Sequence, residues 1–236
     1  MAEPPAHRVI GIIGGMGPEA TVELMRRVIA RTPAGGDEDH IHVIVESNPK
    51  IPSRMAHLIE RTGPDPTPEL IRIARNLQGA GADVLAMPCN TAHGYLPAIQ
   101  AAVSIPMLDM VQLTVAQLAS LRPNARVGLL ASSALIMAGV YARPLAAHGL
   151  EPVLPQHQED LMDLIKDVKR GSAGAEAGFR LADLSRELSL RADVLLIACT
   201  ELSLISAPLK TALEGAIPLI DSIDVLTQAI VDFAAA

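Results

Sequence analysis

The chain has few aromatic side chains and few cysteines. Its 236 residues include no Trp, two Tyr, two Phe and two Cys. So few aromatic rings provide no platform on which nucleobases could stack. The formal net charge is −7 and no basic cluster occurs along the chain. This charge balance argues against nucleic acids and anionic membrane surfaces as partners.

Long apolar runs and an N-terminal signal are also missing. The chain has no run of about 18 apolar residues, and residues 1–8 contain no apolar core of the signal-peptide kind. We therefore expect a cytoplasmic protein. In a reducing compartment two isolated cysteines favour free thiols over a disulfide. They also lack the paired spacing of a zinc site, so the sequence predicts no metal.

The two cysteines lie in matching sequence frames. Residues 82–89 read ADVLAMPC, residues 192–199 read ADVLLIAC, and a polar pair follows each cysteine. Two further landmarks repeat in the same order: IPMLD at 105–109 is matched by IPLID at 217–221, and VIGII at 9–13 by RVGLL at 126–130. Matched landmarks in one order indicate an internal duplication.

Short apolar runs alternate with amphipathic stretches of helix length, which predicts an α/β fold with parallel sheets. Together with the duplication, this predicts two pseudo-symmetric Rossmann-like domains whose parallel sheets face each other across a cleft. The expected domains are residues 1–110 plus 217–236, a discontinuous first domain, and residues 111–216. Strands are predicted at 8–13, 41–46, 82–87, 126–130 and 193–198, with weaker ones near 107, 151–154 and 219. Helices are predicted at 18–31, 53–61, 68–79, 97–103, 111–121, 133–148, 159–170, 175–190 and 224–234.

Both cysteines are expected at the carboxyl ends of parallel strands, where ligands of such sheets bind. If the two halves pack face to face, Cys89 and Cys199 can meet across one cleft. Two opposed thiols are suited to moving a proton from one face of a carbon atom to the other. A thiol acts as a base only as its thiolate, so we expect at least one of them to have a pKa below the ordinary value of about 8.5.

The polar residues after Cys89 are candidates for substrate binding. Asn90 and Thr91 offer hydrogen-bond donors to a carboxylate, although the same pair could simply cap a helix. His93 either tunes Cys89 or hydrogen-bonds the loop.

The second half and the second strand contribute further candidates. Thr200, after Cys199, could donate to a carboxylate, and Glu201 could orient groups in the cleft or cap a helix. Arg54 falls in the first turn of a predicted helix, where a cation is unfavourable because it opposes the helix dipole. Locally unfavourable residues are expected at functional sites, and the arginine fork can bind a carboxylate with two hydrogen bonds, so Arg54 is a candidate carboxylate clamp. Lys169 lies at the edge of an apolar stripe near a helix end, and Lys166 is nearly as eligible.

The segment GGMGPEAT at 14–21 follows the first predicted strand and opens a helix. Its backbone amides, Met16 and Gly17 among them, could bind a carboxylate at the helix N-terminus. The spacing also satisfies a loose dinucleotide fingerprint, but the acidic residue expected farther along falls in a polar loop. A purely structural turn is the third interpretation.

As a set, these segments resemble the aspartate racemases of the aspartate/glutamate racemase superfamily over nearly the whole chain. The resemblance rests on residues 14–21, 48–54, 88–93, the helix end at 168–171 and Cys199-Thr200-Glu201. The sister glutamate racemases carry Cys-Thr-His at the second cysteine, so this chain is similar to the aspartate type.

The resemblance implies a cofactor-independent homodimeric racemase with two catalytic cysteines, matching Cys89 and Cys199. It implies that Asn90, Thr91 and Thr200 bind the substrate α-carboxylate, and that Arg54 and Lys169 hold the distal carboxylate of a dicarboxylic amino acid. Alternatives are a racemase of glutamate or of a broader amino-acid range, a two-cysteine maleate isomerase, a thiol redox switch and a non-catalytic amino-acid sensor.

Overall fold

Two parallel sheets organise the computed structural model, which describes residues 8–236. The first has the strand order β2-β1-β3 and the second β5-β4-β6-β7. The strands are β1 (Ile10–Gly14), β2 (Val43–Ser47), β3 (Val84–Ala86), β4 (Arg126–Leu130), β5 (Glu151–Val153), β6 (Val194–Ile197) and β7 (Leu219–Asp221). The predicted α/β class with two parallel sheets is confirmed. Residues 1–7, part of the segment predicted to lack a signal core, lie outside the described residues.

Helices cover both faces of each sheet. They are α1 (Pro18–Arg31), α2 (Thr67–Gly79), α3 (Leu96–Gln100), α4 (Met110–Leu121), α5 (Ser133–Ala138), α6 (Ala142–Ala147), α7 (Gln158–Lys169), α8 (Ala175–Arg191), α9 (Thr200–Leu204), α10 (Ala207–Ala212) and α11 (Ser222–Ala235). Among residues 8–236, none of these helices combines the length and apolar character needed to cross a membrane.

Some elements differ from the sequence prediction. The helix predicted at 133–148 is two helices, α5 and α6, because Gly139 ends α5 with a left-handed backbone (φ 65°). The predicted helix at 53–61 contains a π-helical turn, Ala56–Glu60. The strand expected near 107 is a single bridge between Met107 and Leu85. Helices α9 and α10 were not predicted.

The first sheet is packed between helices whose apolar residues recur at helical spacing. Ala20, Leu24 and Val28 of α1 are buried at four-residue intervals. The cluster that contains Leu24 and Val28 also includes Ile10 and Ile12 of β1. On the opposite face, α2 packs against the sheet. The cluster there includes Leu70, Ile73 and Leu77 of α2, with Leu85 and Met87.

Helices α4 and α11 pack away from the sheets that precede them in the chain. Helix α4 follows the first sheet, but its Val115 and Leu118 lie in the apolar cluster of the second sheet. Helix α11 follows β7 of the second sheet, but its Leu226 and Ile230 lie in the cluster of the first. Strand β7 itself pairs with β6. The division into domains 1–110 plus 217–236 and 111–216 stays a prediction.

Candidate active site

A cleft lies between the two halves, at the carboxyl ends of β1, β3, β4 and β6. Of the eleven predicted site residues, nine line the cleft, and Gly17 and His93 do not. The first half contributes Met16, Ser53, Arg54, Met55, Cys89, Asn90 and Thr91, and the second contributes Ser132, Ala134, Met162, Ile165, Lys169, Ala198, Cys199, Thr200 and Glu201. Both cysteines therefore face one cavity, in free thiol form and buried.

The loop after β1 forms part of the cleft wall through tight backbone packing. Gly15 has φ +94°, and a Cβ there would lie 2.4 Å from the backbone of Asn48, so only glycine fits. Its amide donates to Oγ1 of Thr21 at 2.9 Å. Met16 is buried and lines the cleft, whereas Gly17 is the N-cap residue of α1 and does not line it.

The side chain of Asn90, next to Cys89, is hydrogen-bonded at both ends. Its Oδ1 accepts from the hydroxyl of Tyr141 at 2.7 Å, and its Nδ2 donates to Oγ of Ser222 at 3.0 Å. One N–H of the amide remains for a ligand, because an amide group carries two donors. Asn90 is thus a cross-link between the two halves as well as a cleft residue. Thr91 begins the 3₁₀ turn that follows, Thr91–Tyr95.

His93 lies beneath the cleft, and its ring is fully engaged with backbone groups. Nδ1 is 2.9 Å from the carbonyl oxygen of Cys89, and Nε2 is 3.2 Å from the amide nitrogen of Met110. Because the Met110 amide is a donor, Nε2 accepts and Nδ1 donates to Cys89. Burial lowers the pKa of His93, which the bond to the Cys89 carbonyl opposes, so the ring is neutral. Of the two roles considered, the geometry matches the loop hydrogen bond.

Cys199 makes a direct contact with Glu201. The thiol donates to Oε2 of Glu201 at 3.0 Å, while Nζ of Lys169 is 3.3 Å from Oε1. Burial raises the pKa of Cys199, and the charge and hydrogen bond of Glu201 raise it further, with Lys169 opposing. The lowered thiol pKa expected from the sequence is therefore not found at Cys199. For Lys169, burial alone would lower the pKa, but Glu201 outweighs it and the pKa is raised.

Arg54 lies across the cleft from Lys169, on the other half of the chain. Its Nη1 donates to the carbonyl oxygen of Pro52 at 3.0 Å, and that of Ile51 is 3.5 Å away. Ser53 caps this turn, since its Oγ accepts from the amide of Ala56 at 3.2 Å. Within residues 8–236, no protein carboxylate forms an ion pair with Arg54, so its remaining donors are available to an anionic ligand.

Beneath the second cysteine loop, a buried arginine mirrors the contact made by Tyr141. Arg27 of α1 donates to Oδ2 of Asp221 at 2.8 Å and to the carbonyl oxygen of Ser203 at 3.0 Å. A side chain from each half therefore hydrogen-bonds the segment that follows the cysteine of the other half: Tyr141 bonds Asn90, and Arg27 bonds Ser203. The two contacts tie together the segments that carry Cys89 and Cys199.

A family model described as Asp/Glu/Hydantoin racemase matches residues 13–230. The chain belongs to this family. The resemblance seen in the sequence is thereby confirmed at the family level, and the two-sheet architecture of this racemase-family chain agrees with those of its relatives.

Three relatives illustrate the similarity. The broad specificity amino-acid racemase RacX of Bacillus subtilis is 30% identical over 91% of this chain and 92% of its own length. The solved structure of Picrophilus torridus aspartate racemase is 29% identical, with a TM-score of 0.86 over 97% of this chain and 94% of that one. The glutamate racemase of Francisella tularensis in complex with D-glutamate is 18% identical, with a TM-score of 0.65 over 96% of this chain and 81% of that one, and shares the fold.

Several residues of this racemase-family site were missed from the sequence. Ser132 lies in the loop after β4, as Met16 lies in the loop after β1, so the duplication itself was a usable signal. Met162 lies two helical turns before Lys169 on the same face of α7. Tyr141 carried no local signal. In the described part of the chain, no group of three or more His, Cys, Asp or Glu side chains is arranged to hold a metal ion.

Proposed function

We propose that this protein is a cofactor-independent racemase that interconverts L- and D-aspartate by proton transfer between Cys89 and Cys199. Membership of the family makes an isomerase that acts on amino acids the coarse statement of function. One observation carries the finer proposal. The two cysteines lie in the loops that follow equivalent strands, β3 and β6, and line one cleft from opposite halves.

The chemistry needs one base and one acid on opposite faces of the α-carbon. The thiolate of one cysteine takes the α-proton, so the C–H bond breaks and an S–H bond forms. The thiol of the other cysteine then gives its proton to the opposite face, and a C–H bond of inverted configuration forms. The total number of protons is unchanged, and the two cysteines exchange roles.

The carbanion formed in between needs stabilisation of its carboxylate, because the α-proton of an amino acid is only weakly acidic. Preorganised donors at the cleft wall can supply this stabilisation. Candidates are the backbone amide of Met16 and the side chains of Asn90, Thr91 and Thr200, all of which line the cleft. The free N–H of Asn90 is suited to this role because Tyr141 and Ser222 fix its amide group.

Arg54 and Lys169 are proposed to bind the distal carboxylate of the substrate. They reach the cleft from opposite halves, and Arg54 already has free donors. The relative named an aspartate racemase, which is similar over nearly its full length, is consistent with this substrate class.

A broader amino-acid range is the second candidate. Lys169 is engaged by Glu201, so the cation on that side is already partly neutralised before any substrate binds. Because only Arg54 then has its charge unpaired, the cleft can also accept a substrate with a neutral side chain. The relative named a broad specificity racemase is in line with this alternative.

A homodimer and a cytoplasmic location complete the proposal. Val22 and Ile29 of α1 are 65% and 56% exposed and lie two turns apart on one face, as expected of a surface that a second subunit covers. Light scattering of the purified protein tests the dimer, and cell fractionation tests the location. A monomer at micromolar concentration would contradict the first.

The reaction is tested by proton NMR of the purified enzyme with L-aspartate in deuterated water, together with a chiral assay. Loss of the α-proton signal with appearance of D-aspartate is the expected result, and neither should occur with Cys89→Ser or Cys199→Ser. Turnover that survives in either variant overturns the two-cysteine mechanism. If aspartate is unchanged, alanine and glutamate are tested next, and turnover of either replaces aspartate as the substrate.

A further inference from the structure

The two cysteines have different partners although their segments are related by duplication. Cys199 donates its thiol hydrogen to Glu201, two residues farther along, at 3.0 Å. At the equivalent position after Cys89 the chain has Thr91, which carries no charge. Both halves of the cleft therefore carry a cysteine, but only Cys199 has a carboxylate two residues farther along that can accept a hydrogen bond from its thiol.

Glu201 is fixed in this contact from its other oxygen. Lys169 lies 3.3 Å from Oε1 while Oε2 accepts from Cys199, so the carboxylate is held between a cation and a thiol. The Glu201 side chain is only 11% exposed. An ionised carboxylate accepts hydrogen bonds and donates none, so an ionised Glu201 keeps the proton of this contact on sulfur.

We infer that Glu201 is a positioning residue that keeps the proton on Cys199 in the free enzyme, so that Cys89 is the base that meets the first substrate molecule. This inference rests on the proposed racemase function. It assigns a resting protonation state to a pair of cysteines that the duplication alone leaves equivalent.

The asymmetry has a definite kinetic form. One enantiomer directs its α-hydrogen toward Cys89 and meets an enzyme ready to react. Its turnover leaves a proton on Cys89 and a thiolate on Cys199 beside the Glu201 carboxylate. Repulsion between the two anions then favours proton return to Cys199 and release from Cys89. Because the enantiomers are equal in free energy, kcat/KM must be equal in both directions, so the asymmetry is found in kcat and KM separately.

The protonation state can be measured without substrate by alkylation with iodoacetamide, followed for each cysteine by mass spectrometry. In the wild type we expect Cys89 to react about tenfold faster than Cys199, because only the thiolate is alkylated. In Glu201→Gln, the Cys199 rate should rise about tenfold while the Cys89 rate is unchanged. Glu214→Gln is the matched control, since Glu214 is exposed and does not line the cleft, and should change neither rate.

A second variant separates this effect from loosening of the fold. Lys169→Met leaves Glu201 without its cation and should slow alkylation of Cys199, the opposite of Glu201→Gln. Structural damage would expose the cysteine and speed the reaction in both variants. An unchanged Cys199 rate in Glu201→Gln, or equal changes at both cysteines, overturns the inference.

The labelling result is independent of turnover. If aspartate and other amino acids are not racemised but the labelling pattern is as expected, the proposed function fails and the Glu201–Cys199 relationship remains. If racemisation occurs and Glu201→Gln leaves the labelling pattern unchanged, only the inference fails. When both succeed, the difference in kcat between L- and D-aspartate should become smaller in Glu201→Gln.

Discussion

The hydroxyl of Tyr141 donates a 2.7 Å hydrogen bond to the amide oxygen of Asn90, joining the second half of the chain to the loop that carries Cys89. Tyr141 is 1% exposed and Asn90 3%. The bond is thus shielded from water, and its loss leaves a buried acceptor without a partner.

Tyr141→Phe should lower the free energy of unfolding by about 1–3 kcal/mol, the usual cost of leaving a buried polar group unsatisfied. Urea denaturation measures it. Tyr95→Phe is the matched control, because the Tyr95 hydroxyl is buried and has no hydrogen-bond partner in the described chain. The control should be neutral or slightly stabilising, and equal losses in both variants would contradict the role of Tyr141.

Removal of Arg27 should lower the free energy of unfolding more than Tyr141→Phe does. Arg27→Met leaves Asp221 buried without its cation, which should cost about 3–5 kcal/mol of unfolding free energy. Arg26→Met, in which a 63% exposed arginine is removed, should cost less than about 1 kcal/mol. The double variant Arg27→Met/Asp221→Asn should recover part of the loss, since it removes the unpaired charge as well. No recovery would mean that Arg27 acts mainly through packing.

The pH dependence of stability should report on His93. Burial lowers the pKa of His93 in the folded state, while the unfolded chain takes up a proton below about pH 6.5. The unfolded state therefore binds more protons as the pH falls below 6.5, and stability is lost, by at most about 1.4 kcal/mol per pH unit.

Urea unfolding at pH 7.5 and 5.5 measures this dependence. His93→Gln should be less stable at pH 7.5 but should lose about 1 kcal/mol less than the wild type on going to pH 5.5. His148→Gln, at an exposed position, should keep the wild-type difference. A His93 variant with the full wild-type difference would assign the effect to another group.

Arg54 should determine preference for a dicarboxylic substrate. Arg54→Ala should lower kcat/KM for aspartate by about tenfold to a hundredfold, the equivalent of a charge-assisted hydrogen bond of about 1.5–3 kcal/mol. Turnover of alanine should be unchanged, because alanine has no distal carboxylate. Arg143→Ala, at an exposed position outside the cleft, is the control. Equal losses on both substrates would make Arg54 a structural residue.

Local apolar runs predicted the strands well. Strand β4 and helix α1 have the bounds that the sequence predicts. In each, an uninterrupted apolar or amphipathic pattern runs from the first residue of the element to the last. Helices α9 and α10 were missed because they are only five and six residues long, too short for a periodic pattern.

The site was predictable where chemistry is local and not where it depends on distant partners. Cys89 and Cys199 could be found from their repeated frames. The state of Asn90 could not, because its partners Tyr141 and Ser222 are far away in the chain and reach it only in the folded protein. The pairing of Lys169 with Glu201 was hidden for the same reason: α7 and α9 come together only through packing.

The positions of α4 and α11 bear on how such a chain could arise. Each helix leaves the sheet that precedes it and packs on the other sheet, so the two halves exchange equivalent elements. This is the arrangement of a domain-swapped dimer whose two copies have been joined into one polypeptide. A single-unit ancestor could have built the same cleft from two identical chains, with one cysteine from each. Fusion of the copies would then have allowed one position to become Thr91 and the other Glu201.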